Sequence, residues 1–181
     1  MKSLLFLLLS IALFGSNIKE ELADLYNKKE YEQVCKKGFN AFNQNLKDEE
    51  FLSLYAYGCL YADYIDRLAV PIASLKFTKE GRANASYFSI VLMQKKLLFY
   101  SINDGYDISG LNMPTTEYIL SKVFDLYTKE PYTKGKESFS LVDNIDDSIT
   151  YKLYLEHDPK LNKMIIEKYK DSTFVERHIY W

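Results

Sequence analysis

The chain reads as an α+β protein: an N-terminal antiparallel helical bundle followed by a C-terminal antiparallel β meander. Two changes of rhythm predict this. From Asn17 to Tyr127 apolar residues recur three and four positions apart, the spacing of amphipathic helices. After Lys134 come short β-branched and aromatic runs separated by DNIDDS, DPKLN and DS, which are turn chemistry. Helices first and strands last separate the two kinds of element, as in α+β rather than α/β proteins.

The opening sixteen residues stand apart from both regions. Lys2 precedes a largely apolar run from Leu4 to Phe14, and Gly15 and Ser16 close it. That layout predicts a secretory signal peptide over residues 1–16. The run is shorter than the ~20 residues a membrane-spanning helix needs, so no integral span is expected after cleavage. The formal charge of -2 becomes -3 when Lys2 is lost, because Lys2 is the one charged residue in that segment. Mixed charges with a slight acidic excess give no footprint for nucleic acid.

The helical region, residues 17–133, divides by its stripes. Ile18, Leu22 and Leu25 form a first stripe; Tyr31, Val34, Gly38, Ala41 and Phe42 form a second. NQNLKDEE makes a turn, with Glu49 and Glu50 placed to favour a helix N-terminus. The third stripe is Phe51, Tyr55, Gly58, Cys59, Ala62 and Ile65. Pro71 marks a boundary, after which a short helix is expected to end near Gly81. Ser86 to Ile102 is apolar on most sides except at Gln94, Lys95 and Lys96, which suggests a central helix. A loop follows, and Pro114 to Glu117 are expected to open a last helix. In the second region, residues 134–181, three or four strands are expected among SFSLV, TYKLYLEH, KMIIEKYK and TFVERHIYW. Tyr151, Leu153 and Leu155 alternate with polar neighbours, while Val175, Ile179 and Trp181 share a face opposite Glu176 and His178. Short connections make a meander packed on the helices the simplest topology.

DLYNKKEYEQVCKKGFNAF, Asp24 to Phe42, resembles a tetratricopeptide repeat, with Leu25, Tyr26, Tyr31, Val34 and Ala41 at matching positions. A second copy starts at LYAYGCLYADY, where Gly58 and Tyr61 fit, so the resemblance spans about residues 18–76. Pro71 falls inside what would be the second helix of that copy, a departure from the pattern. The resemblance implies a scaffold that binds proteins. In size and composition the chain is also similar to small accessory proteins of the ε-proteobacterial envelope and flagellar motor, which implies an envelope protein partner.

The two cysteines, Cys35 and Cys59, are 24 positions apart. They lie outside any C-x-x-C arrangement, and the two histidines, His157 and His178, are far from them in sequence, so no metal or nucleophile pattern forms. Export favours a disulfide instead. Cys35 lies eleven positions before Leu46 and Cys59 thirteen after it, so in antiparallel helices their heights differ by only ~3 Å. The clusters Asp143, Asp146, Asp147 and Asn103 to Asp107 read as turns. The sequence holds no phosphate-cradling glycine loop, serine elbow or HExxH motif, and no cofactor is expected. The reading is therefore an exported, periplasmic, non-enzymatic interaction protein, with Tyr55, Tyr57, Tyr61 and Tyr64 as partner contacts. The alternative is a small-ligand binder with an aromatic pocket between helices and sheet.

Overall fold

The computed structural model describes residues 18–129, 133–134 and 138–181; the expected signal peptide lies outside them. Helix α1 (Ile18–Asn27) ends in a tight turn, with Lys29 left-handed at φ 60°. The amides of Lys29 and Glu30 donate to the carbonyls of Tyr26 and Leu25, closing the helix end. Helix α2 (Tyr31–Ala41) follows, and α3 (Glu49–Tyr61) starts where the Asp48 carboxylate accepts from the Phe51 amide at 3.0 Å. Glu49 and Glu50 occupy its first turn, as their placement predicts.

Helices α2 and α3 run antiparallel, as their facing residues show. Val34 lies against Gly58, Gly38 lies against Tyr55, and a disulfide joins Cys35 to Cys59 with Cα atoms 4.6 Å apart. A Cβ at Gly38 would fall 2.4 Å from Tyr55 Cδ2, and one at Gly58 would fall 2.4 Å from Val34 Cγ1. The absence of two side chains is what lets the helices close to disulfide distance.

Helix α4 (Ala69–Ser74) carries Pro71 in its first turn, where no amide is needed. It stops well before Gly81, which instead sits in the first turn of α5 (Lys79–Asp104). The reason is a carboxylate. Buried Glu49 accepts from the backbone amides of Lys76, Phe77 and Thr78 and from the Thr78 hydroxyl, while Thr78 Oγ1 caps the Gly81 amide at 2.9 Å. A Cβ at position 81 would lie 2.5 Å from Glu49 Oε2. The glycine therefore makes room for a buried anion rather than ending a helix.

Helix α5 is central, as expected, but two of its polar residues, Gln94 and Lys95, point inward while Lys96 is exposed. Gln94 is fully buried and donates to the Pro114 carbonyl at 3.0 Å. Lys95 is 3 % exposed and reaches Asp66 at 3.1 Å and the Trp181 carbonyl. Helix α6 (Ile119–Lys129) opens later than Pro114, because the Ser121 hydroxyl accepts the Thr116 amide and holds that stretch as a loop.

The C-terminal strands are β2 (Ser138–Val142), β3 (Ile149–Glu156), β4 (Lys163–Lys170) and β5 (Thr173–Tyr180), with a two-residue β1 (Thr133–Lys134) beside β2. They pair in chain order, all antiparallel. Asp171 and Ser172, both at positive φ, make the two-residue β4–β5 turn. Leu141, Tyr151, Leu153, Met164 and Ile166 turn their sheet face to α5 and α6 and are buried with Phe88, Val91, Leu120 and Phe124. Each fully buried large side chain of this kind contributes roughly 1.5–3 kcal/mol. Val175 and Ile179 lie on the outer face, but Trp181 follows the end of β5 and packs its ring against Tyr64 of the helical region. Glu176, His178 and Tyr180 face the helices, and a bulge at Val175 adjusts the strand.

Candidate functional site

Polar residues on the inner face of β5 need polar partners, and the end of α3 supplies them. The carbonyls of Cys59 and Leu60 accept from the amides of Tyr64 and Asp63. This is a Schellman end, with Asp63 at the left-handed position usually taken by glycine (φ 62°). From there the Asp63 carboxylate lies 2.8 Å from His178 Nδ1 and 2.7 Å from the Tyr118 hydroxyl, and it accepts the Ile179 amide at 3.3 Å. The Tyr180 hydroxyl donates to Tyr118 at 3.2 Å. One aspartate thus ties α3, the start of α6 and β5 together.

Burial opposes a charge on His178, but Asp63 and Glu176 together outweigh it and raise its pKa above the ordinary 6.5. Burial, Tyr180 and Asp63 push the Tyr118 hydroxyl well above its usual range. Both imidazole nitrogens face carboxylates, Asp63 at 2.8 Å and Glu176 at 3.5 Å. Both cysteines are held in the disulfide. The arrangement braces the fold.

Around this brace lie the tyrosines singled out from the sequence, and the structure separates them. Tyr55 is a correction: it is fully buried, its ring pressed against Gly38 and stacked on Phe42, so it packs the core. Tyr57 is half-buried and donates to Asn84 Oδ1 at 3.1 Å. Tyr61 is 44 % exposed. Its ring centroid lies 5.0 Å from that of Tyr31, 6.2 Å from Tyr26 and 6.3 Å from Tyr57, and Tyr57 continues the chain of rings to Tyr87. Burial pushes the Tyr26 hydroxyl up to about 12, with help from its tyrosine neighbours, so it stays neutral.

Tyr64 belongs to a second cluster. The Arg67 guanidinium sits 4.7 Å from the Phe39 ring and 4.9 Å from the Tyr64 ring, and Trp181 meets Tyr64 edge-on at 5.6 Å. Phe39 and Trp181 are 45 % and 43 % exposed. No carboxylate among the described residues lies within ion-pair reach of Arg67. A groove of about 400 Å³, lined by Tyr31, Tyr61 and Tyr64 and also by Glu30 and Glu32, connects the two clusters, and the Tyr64 hydroxyl donates to Glu32 at 3.1 Å; the rings on either side form one aromatic band. Tyr61 also borders a cleft of about 220 Å³ at the seam of helices and sheet.

Asp63, Arg67 and Tyr118 do not stand out in the sequence, and His178, visible there as a polar residue of the last strand, gains its role only from Asp63. One signal was available: no glycine or asparagine follows Tyr61, so a non-glycine residue had to take the left-handed turn. Among the described residues no helix is long and apolar enough to cross a membrane, and no three His, Cys, Asp or Glu side chains gather as metal ligands. The disulfide is consistent with an oxidising compartment. No family model, curated protein or solved structure matches the chain. Its class is therefore defined by its own architecture: a helical region braced on a β meander, with an aromatic band along α2 and α3.

Proposed function

We propose that the protein is an exported, periplasmic, non-enzymatic interaction protein that holds an envelope protein partner on this band. The observation that carries the reading is Arg67, stacked between Phe39 and Tyr64, beside Trp181, and lacking a carboxylate of its own. Tyrosine, tryptophan and arginine are the residues that dominate binding energy at protein interfaces. A guanidinium pre-positioned between rings is set to take an acidic side chain bidentately. The partner surface it fits presents an aspartate or glutamate flanked by apolar groups. The close α2–α3 packing and its disulfide support a rigid scaffold of the helical-repeat kind, and the oxidised cysteines support export.

The test is co-purification from the native envelope, comparing the wild type with Arg67→Ala and Tyr61→Ala. One partner retained by the wild type and lost from both folded variants supports the reading. A partner retained equally by both variants defeats it.

A further inference from the structure

The cleft beside the band has a chemistry of its own. Pairing across the sheet sets Tyr151, Lys168 and Glu176 in one row along its floor, with His178 in the next row. Tyr61 and Tyr87 stand on its rim from α3 and α5, while Glu117 and Lys122 enter from the start of α6. Several of these charges are already matched. Lys168 pairs with Glu176 at 3.3 Å, and His178 lies between Asp63 and Glu176. Glu117 and Lys122 have no opposite charge within 4.0 Å among the described residues. Glu117 accepts a hydrogen bond from the Tyr87 hydroxyl and Lys122 acts on Asp143 only at longer range, so one anion and one cation without an ion pair line the same small space. A purely anionic ligand would leave Glu117 facing it, and a purely cationic one would leave Lys122; like-charge juxtaposition is unfavourable in either case.

Size narrows the class further. The volume of about 220 Å³ is below the ~300 Å³ at which drug-sized pockets begin. It equals roughly seven waters at their liquid volume of ~30 Å³ each. A single amino acid has this size and carries both charges. We propose that the cleft binds one free zwitterionic amino acid, its ammonium group on Glu117 against the Tyr61 and Tyr87 rings and its carboxylate on Lys122. Ring faces attract the ammonium group in the way that aromatic cages do. The inference stands on the charges of the cleft and does not depend on a protein partner using the band.

The purified protein, with its disulfide intact, offers a direct readout, because it has only two histidines. His178 lines the cleft, and His157 lies in the β3–β4 turn, bonded to Asn162. The common L-amino acids are titrated singly while the two imidazole NMR signals are followed. At least one amino acid is expected to shift His178 saturably and leave His157 unmoved. Lys122→Met and Glu117→Gln each weaken that binding about tenfold, with the melting temperature unchanged, which corresponds to ~1.4 kcal/mol. The decarboxylated amine of the same amino acid loses its dependence on Lys122, and the N-acetyl derivative loses its dependence on Glu117. The inference is overturned by no saturable shift up to roughly 10 mM, a range that reaches millimolar Kd values. Binding that ignores either variant overturns it as well.

Discussion

Gly38 and Gly58 set how closely α2 and α3 approach, and single substitutions there test the packing directly. Gly38→Ala drives a methyl group into the Tyr55 ring, and Gly58→Ala drives one into Val34. Each is expected to destabilise the fold by about 1–3 kcal/mol in urea unfolding; a neutral result at both sites would contradict the geometry. Glu49 makes a different prediction. Hydrogen bonds from the Thr78 hydroxyl and from backbone amides lower its pKa from 4.5 to about 2. A lowered carboxyl pKa stabilises the fold above the unfolded value, and that contribution is lost as pH falls from about 4.5 towards 2. Melting temperature measured across that window should fall for the wild type. In Glu49→Gln it should start lower at neutral pH and fall less steeply with acid.

At the scale of elements, two ties decide how the parts stay together. The Cys35–Cys59 bridge closes a loop with a sequence separation of 24. In the chain-entropy account that is worth roughly 3.5 kcal/mol. A Cys35→Ala/Cys59→Ala double variant should show that loss in urea unfolding, and free thiols in oxidised native protein would refute the bridge. The second tie is Asp63 to His178. Because the histidine pKa is raised, its stabilising charge is fully present below pH 6.5 and is lost as pH rises through the folded value. NMR titration should place His178 above 6.5, and Asp63→Asn should bring it down while keeping the left-handed turn that asparagine accepts. An unchanged midpoint in the variant would remove Asp63 from the account.

Which elements were legible follows from how locally each is determined. The strands announce themselves, because β-branched runs between turn residues depend only on near neighbours. The disulfide was legible too, since turn position and helical rise suffice to bring the cysteines level. Gly81 and the inner face of β5 were not. Gly81 looks like punctuation until Glu49, 32 positions earlier, is seen to fill the space beside it. His178 and Tyr180 look like a solvent face until Asp63 and Tyr118 meet them from distant helices. Long-range polar pairing leaves no periodic trace. The same reason explains the tyrosines: Tyr55 and Tyr61 belong to one helix, but only the packing of α2 decides that the first is core and the second surface.

At the scale of the molecule, the sheet bears on α5 and α6, while the aromatic band runs along α2, α3 and the residues just after α3. The brace at Asp63 therefore holds the band and the cleft in fixed relation to the sheet, and Tyr61 is shared by both. The central claim is that the band receives a protein. Photocrosslinking in the native envelope tests it most directly, with benzoylphenylalanine placed in turn at Tyr61, at Phe39 and, as a control, at Ile145 in the β2–β3 turn. The account predicts one shared crosslinked protein from Tyr61 and Phe39, none from Ile145, and loss of that product when Arg67→Ala is added. Crosslinks from Ile145 equal to those from the band, or none from Tyr61 and Phe39, would contradict it.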